Sequence, residues 1–135
     1  GYRHVRGPVD EWFIAAQLRF APGDTADAQA RIKVLLERRA ATQPTNQPSC
    51  GSVFRNPPGD HAARLIEACG LKGACIGKAC VSEKHANFII NTGAARAADI
   101  EALIAQVRET VECEQGVRLE TEVRIVGVNA EGVDA

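Results

Sequence analysis

Two stretches of the chain place apolar residues at every second position, which is the period of a β-strand. In residues 12–20 every even position is apolar. In residues 117–125 the odd positions carry Val, Leu, Thr, Val and Ile, and the even positions are all charged. This period places alternate side chains on opposite faces of a strand. We therefore predict a strand in each stretch, the second with an apolar face inward and a charged row outward.

Three other stretches space their apolar residues as one face of a helix, namely residues 25–40, 61–69 and 98–114. Asp24 or Thr25 can cap the free backbone N–H groups at the start of the first helix, and Asp60 can cap those of the second. A glycine follows each of the last two, which is typical of a helix end. The pattern predicts three helices.

The remaining stretches are a loop and a buried segment. Residues 41–60 contain four prolines and two glycines, which predicts a loop with at most a short strand near residues 52–55. Residues 88–91 read Phe-Ile-Ile-Asn, which is typical of a buried strand. The order of elements predicts an α+β fold, with a small mixed sheet packed against about three helices.

Composition and charge exclude several classes of protein. The 16 basic and 17 acidic residues nearly balance, which argues against a nucleic-acid partner bound through a basic face. No apolar run reaches the ~18–20 residues of a membrane helix. The five cysteines form no C-x-x-C pair, so we expect reduced thiols of a cytoplasmic protein and no metal site. The chain lacks methionine, which indicates a processed chain or a piece of a longer one.

Two groups of residues are candidates for chemistry on pattern alone. In the loop, Ser52 follows a glycine, and Arg55 and Asn56 suit a carboxylate or phosphate ligand. In the last predicted strand, Glu122 lies between a like charge and an arginine on one face, which is a plausible setting for a tuned acid. The alternatives, a loop held by its own hydrogen bonds and a solvated strand face, remain open.

Four blocks of sequence nevertheless form a recognisable series: PSCGSVFRNP at residues 48–57, LIEACGLKG at 65–73, IGKACVSEKHANFIIN at 76–91 and GVRLETEVRIVG at 116–127. In this order they closely resemble the C-terminal, substrate-binding domain of the UDP-N-acetylenolpyruvoylglucosamine reductase (MurB) family. The resemblance implies four parts: residues 1–22 as the end of an FAD-binding domain, 23–42 as a connecting helix, 43–128 as the substrate-binding domain and 129–135 as a tail.

The resemblance implies an oxidoreductase of peptidoglycan precursor synthesis. Such an enzyme uses NADPH and FAD to convert UDP-N-acetylglucosamine enolpyruvate to UDP-N-acetylmuramate. The cofactors would be held mainly by the remainder of the FAD-binding domain, so we expect this chain alone to be inactive. No membrane or nucleic-acid partner is implied. The alternative is a stand-alone nucleotide-sugar-binding module without redox activity.

Family positions also imply roles for individual residues. Ser52 would donate the proton that completes the reduction, and Glu122 would stabilise the enolate, which requires that it hold or share a proton. Gly51 would lie against the cofactor.

Four more positions are implied as substrate-binding: Asn56, Arg55, His85 and Tyr2. The chain departs from the family pattern at Val5, at Lys78 and near residues 40–43, where some relatives carry a substrate-binding lysine.

Overall fold

The computed structural model describes Gly7 and residues 12–127. Within this part of the chain, three helices and four strands follow one another as α1 (Thr25–Thr42), β1 (Ser49–Ser52), α2 (Ala62–Ala68), β2 (Cys75–Ile76), β3 (Ala79–Val81), β4 (Phe88–Asn91) and α3 (Ala97–Gln115). The predicted α+β class and the three predicted helices are confirmed, each helix to within two residues at either end.

The four strands form one sheet in the order β1-β4-β3-β2. All three pairings are antiparallel, where a mixed sheet was expected. Strand β4 lies between two neighbours, and Phe88, Ile89 and Ile90 are all buried. This position explains why the strand is apolar throughout, because a central strand covered on both faces has no solvated side.

The core lies between the sheet and helices α2 and α3. Its side chains come from both helices, from the central strands and from the segments that follow β1 and α3, and they include Val53, Phe54, Leu65, Ile66, Val81, Ile89, Leu103, Val107, Val111 and Leu119. The apolar stripe predicted for α3 is buried at every position except the first, its members being Ile100, Leu103, Ile104, Val107 and Val111. Gly116 ends α3 in the left-handed conformation, with φ of 66°, as glycine readily can.

The stretch before α1 departs from its predicted structure. Residues 12–20 form no strand, and Trp12, Phe13 and Ile14 are almost fully exposed. A strand needs a neighbour for its ladder of hydrogen bonds, and no strand among the described residues pairs with this stretch.

Helix α1 has the predicted start, where the Asp24 side chain accepts a hydrogen bond from the N–H of Asp27 at 2.9 Å. The apolar stripe predicted for α1 is exposed, and none of its residues is buried. Of its side chains, Ile32, Leu35 and Leu36 are each more than half exposed. The helical spacing therefore predicted the helix correctly, but its apolar face stays largely exposed in the described part of the chain.

The strand predicted for residues 117–125 is reduced to one isolated antiparallel bridge, between Thr121 and Phe54. Leu119 is buried and its charged neighbours are exposed, as the alternation predicted. Glu122 is half-buried rather than part of an outward charged row. The segment runs alongside only the few residues after β1, which is too short a pairing for a regular strand.

The expectation that all cysteines are reduced is wrong for one pair. Cys75 and Cys80 form a disulfide across the hairpin of β2 and β3, whereas Cys50, Cys69 and Cys113 are free. The two bonded residues lie directly opposite each other in the pairing of the strands. Sequence spacing gave no sign of this register.

No helix in the described part of the chain is long and apolar enough to cross a membrane.

Candidate functional site

The backbone of residues 52–56 is held along both of its edges. On one edge the N–H of Val53 donates to the carbonyl of Asn87 at 2.9 Å. On the other edge the N–H of Arg55 donates to the carbonyl of Glu120 at 2.8 Å. A backbone segment with partners on both sides behaves like a central strand, so its side chains project from a rigid frame.

The side chain of Asn87 supplies two further bonds to this segment. Its Oδ1 accepts from the N–H of Phe54 at 2.9 Å, and its Nδ2 donates to the carbonyl of Phe54 at 2.8 Å. Both residues are buried. The amide thus replaces a strand partner for a stretch of backbone that water cannot reach. Sequence reasoning assigned no role to Asn87.

The edge of this segment that faces residues 120–123, opposite the edge bonded to Asn87, contains a β-bulge. The carbonyl of Val53 accepts hydrogen bonds from the N–H groups of both Glu122, at 2.8 Å, and Val123, at 3.4 Å. Two consecutive residues opposite one partner residue are the signature of a bulge, which redirects side chains and is common beside active sites. The bulge explains why Glu122 leaves the charged outer row predicted from strict alternation.

The two residues predicted as catalytic lie close together in the fold. Ser52 immediately precedes Val53, and Val53 is the hydrogen-bond partner of Glu122. Paired residues on adjacent strands lie about 5 Å apart. Both side chains are half-buried, so each is partly accessible to a ligand. The structure therefore brings the serine and the glutamate to one region, although 70 positions separate them in the sequence.

Arg55 and Asn56, predicted to bind substrate, already have protein partners. The guanidinium of Arg55 lies 3.8 Å from the carboxylate of Glu120, and both side chains are largely exposed. An exposed pair of this kind is weak, so Arg55 remains available to an anionic ligand. Asn56 accepts a hydrogen bond at Oδ1 from the N–H of Ala62 at 3.1 Å, at the start of α2. One lone pair of its oxygen is therefore used by the helix, and its NH₂ group supplies donors for a ligand.

The ring of His85 is half-buried and held in place. Its Nδ1 accepts from the N–H of Asn87 at 3.3 Å, and the ring meets Phe88 edge-on at 4.8 Å between centroids. The Oγ of Ser82 accepts from the N–H of His85 and so fixes the backbone. Burial lowers the pKa of His85 from its ordinary value of 6.5. With Nδ1 as an acceptor, the neutral ring carries its hydrogen on Nε2, which makes Nε2 a donor for a ligand.

This burial predicts a dependence of stability on pH. As the pH falls, the imidazole of the unfolded chain gains its proton near pH 6.5, before that of the folded chain does. The stabilisation from neutral His85 is thus complete above about pH 6.5. It is lost as the pH falls towards the lower pKa of the folded state. We expect the free energy of unfolding of His85→Gln to vary less than that of the parent between about pH 7 and pH 5.

Urea denaturation at a series of pH values measures this difference. His61→Gln makes the same substitution at an exposed position and is the matched control. An identical slope in His85→Gln and the parent would show that His85 does not contribute.

A groove of about 590 Å³ opens beside the candidate loop, between the end of α1 and the start of the sheet. Among its lining residues are Arg39, Gln43, Gly51 and Phe88. Gly51 has φ of 83°, and no atom lies within 4 Å of where a side chain would begin. A flat ring or a backbone could therefore approach Gly51 closely, as the predicted contact with a cofactor requires.

Two further predictions concern residues near the start of the chain and a metal site. Tyr2, predicted to bind substrate, and the departure at Val5 lie outside the described residues. Among residues 12–127, no three His, Cys, Asp or Glu side chains are arranged to hold a metal ion.

Comparison with known proteins places these features in a family. Residues 43–126 match the family model described as UDP-N-acetylenolpyruvoylglucosamine reductase, C-terminal domain. The UDP-N-acetylenolpyruvoylglucosamine reductase of Methylococcus capsulatus is 69% identical over 127 residues, which are 94% of this chain and 42% of that protein. The reductase of the same name from Alkalilimnicola ehrlichii is 67% identical, again over 94% of this chain and 43% of that protein.

A solved structure has the same fold. The crystal structure of UDP-N-acetylenolpyruvylglucosamine reductase (MurB) from Thermus caldophilus matches 73% of this chain and 34% of that one, with a TM-score of 0.63 and 38% identity. In each comparison the chain spans less than half the length of the relative.

Proposed function

Since the chain belongs to the family of the UDP-N-acetylenolpyruvoylglucosamine reductase C-terminal domain, we propose that it is the substrate-binding part of such a reductase. The reaction is the NADPH-dependent reduction of UDP-N-acetylglucosamine enolpyruvate to UDP-N-acetylmuramate, in the cytoplasmic synthesis of peptidoglycan precursors. The observation that carries the proposal is the pairing of Val53 with Glu122, which brings Ser52 and that glutamate to one region.

The proposal divides the work between this chain and the rest of a longer reductase. When bound, FAD reduced by NADPH supplies a hydride to the enolpyruvyl group of the substrate. Gly51 offers an open approach for the flavin ring. The chain covers only 42% of the Methylococcus relative, so most contacts to FAD and NADPH are assigned to the remainder of such a protein.

Ser52 is assigned the proton transfer that completes the reduction. Hydride addition leaves an enolate whose carbon next to the carboxylate is a strong base. A serine hydroxyl is a weak acid in water, but it can protonate such a carbon when it is held at hydrogen-bond distance. The flanking bonds of Val53 and of Phe54 hold the backbone beside Ser52, which supports this role.

Glu122 is assigned the stabilisation of the enolate. Negative charge grows on the substrate carboxylate as the enolate forms, and a hydrogen-bond donor placed in advance lowers the energy of that state. A carboxyl group serves as such a donor only while it holds or shares a proton. The half-buried position of Glu122 beside the bulge supports this use, because the backbone hydrogen bond to Val53 fixes the segment that carries the carboxyl group.

The nucleotide-sugar part of the substrate is assigned to the groove beside Gly51. The guanidinium of Arg39 gives this groove a positive charge suited to the two phosphates. The Nε2–H of His85 and the amide of Asn56 are donors for the polar groups of the sugar and the carboxylate. Because no lysine occupies residues 40–43, Arg39 is the cation that the groove offers in that region.

A chimera tests the proposal. This chain replaces the corresponding 42% of the Methylococcus capsulatus reductase, to which it is 69% identical. We expect the purified chimera to bind flavin and to oxidise NADPH only when UDP-N-acetylglucosamine enolpyruvate is added. The chain alone should bind this substrate without oxidising NADPH. A folded, flavin-loaded chimera that neither binds nor reduces the substrate would contradict the proposal.

A further inference from the structure

We propose that Cys75 and Cys80 form a reversible redox site that exchanges with low-molecular-weight thiols and disulfides. The site lies in the hairpin of β2 and β3, and the inference rests on the proposed function only for the cytoplasmic setting of the chain. Disulfides of cytosolic proteins are usually transient and catalytic or redox-sensing rather than structural, which makes a bonded pair in this chain informative.

The hairpin keeps the two sulfur-bearing residues together in both redox states. Cys75 and Cys80 are direct partners in the strand pairing, with their Cα atoms 4.1 Å apart. At the open end of the hairpin, the N–H of Val81 donates to the carbonyl of Ala74 at 2.8 Å, and the N–H of Gly73 donates to the carbonyl of Val81 at 3.0 Å. These bonds do not involve sulfur, so the two thiols of the reduced hairpin remain side by side.

The turn of the hairpin is anchored independently. Gly77 has φ of 56°, and a side chain at this position would begin only 2.5 Å from the carboxylate of Asp99. Asp99 in turn accepts a hydrogen bond from the N–H of Arg96 at 3.1 Å, at the start of α3. Packing against α3 therefore fixes the turn whether or not the disulfide is present.

A small molecule can reach the pair. Cys75 is exposed and Cys80 is half-buried, and both line a groove of about 360 Å³ that also includes Lys84. A groove of this size admits a tripeptide thiol in part, which is sufficient for attack on one sulfur atom. The exposed Cys75 is the sulfur that an incoming group meets first.

The free cysteines are poorer sites for this chemistry. Desolvation raises the pKa of the thiols of Cys50 and Cys69, which leaves less of the reactive thiolate at neutral pH. Cys113 is exposed, but no other cysteine is bonded to it. Only the pair in the hairpin combines access with a second thiol that can complete an exchange.

The exchange balances without any further reagent. The thiolate of Cys75 attacks one sulfur of a low-molecular-weight disulfide, which forms a mixed disulfide and releases one thiolate. The sulfur of Cys80 then attacks that of Cys75 and releases the second thiolate. Two protein thiols have lost two electrons and two protons, and one small disulfide has become two thiols. Excess small thiol reverses both steps.

The test uses the whole chain, equilibrated in a series of ratios of reduced to oxidised glutathione, then alkylated and mapped by mass spectrometry. In oxidising buffer we expect two of the five cysteines, Cys75 and Cys80, to escape alkylation through a bond to each other. In excess reduced glutathione all five should be alkylated. Alkylation of both cysteines at every ratio would overturn the proposal, as would a bond between them that excess reduced glutathione leaves intact.

Two matched variants test the order of events. Cys80→Ser should accumulate glutathione on Cys75 in oxidising buffer, because the sulfur that completes the exchange is gone. Cys113→Ser should still form the bond between Cys75 and Cys80. If Cys75 in Cys80→Ser carries no more glutathione than Cys113 in the same sample, the proposed first step is wrong.

Discussion

Replacing Ser52 by alanine in the chimeric reductase should slow the reoxidation of reduced flavin by substrate by roughly 10²- to 10⁴-fold, the usual contribution of a positioned proton donor. Reduction of the flavin by NADPH should keep the rate of the unsubstituted chimera, because no proton from Ser52 is needed in that half of the reaction. Stopped-flow absorbance of the flavin measures the two half-reactions separately.

The control for this substitution removes a hydroxyl elsewhere. Thr110 lies on α3, and its hydroxyl donates to the carbonyl of Gln106 in the same helix, so Thr110→Val should leave both rates unchanged. Equal reoxidation rates in Ser52→Ala and the unsubstituted chimera would remove Ser52 from the mechanism. A parallel loss in both half-reactions would indicate a general disturbance of the fold instead.

The second large effect concerns stability. Asn87→Ala should lower the free energy of unfolding of the chain by roughly 2–4 kcal/mol, because it leaves two buried backbone groups without partners. Those groups are the N–H and the carbonyl of Phe54, a residue that is 2% exposed. Urea denaturation followed by circular dichroism gives the value, provided that the slope of the transition is unchanged.

Asn91→Ala is the matched control for this stability prediction. The side chain of Asn91 also makes two hydrogen bonds to backbone, accepting from the N–H groups of Gly93 and Ala95. Gly93 is exposed and Ala95 is only half-buried, so water can replace much of what is lost. If Asn87→Ala costs no more than Asn91→Ala, the segment at Phe54 does not depend on the buried amide.

Local patterns located the elements whose partners lie within the described part of the chain. Helix α3 and strand β4 were predicted at nearly their observed positions. The apolar residues that form the helical spacing of α3 and the short apolar run of β4 are the ones that these elements bury. Residues 12–20 and 117–125 have an equally clear period of two. Their structure depends on a partner strand elsewhere, and a period alone does not say whether such a partner is present.

The candidate site was predicted more from family resemblance than from pattern. From the alternation of charged residues, Glu122 was predicted to lie in a row of charged side chains facing solvent. The bulge opposite Val53, which the sequence pattern does not reveal, explains why its side chain is half-buried instead. Asn87 sits among turn-forming residues, where an asparagine is ordinary, so its buried role had no local signal. The cysteines were misjudged for the same reason, since the register that pairs Cys75 with Cys80 is a property of the hairpin and not of the spacing.

The account depends on Ser52 and Glu122 acting on the same part of the substrate. A double-mutant cycle with Ser52→Ala and Glu122→Gln, measured on flavin reoxidation by substrate in the chimera, tests this most directly. Groups that act as a unit have strongly non-additive effects, so we expect the double variant to be much less impaired than the product of the two single losses. A double variant impaired by the full product would mean that the two side chains act independently, and the proposed shared site would be wrong.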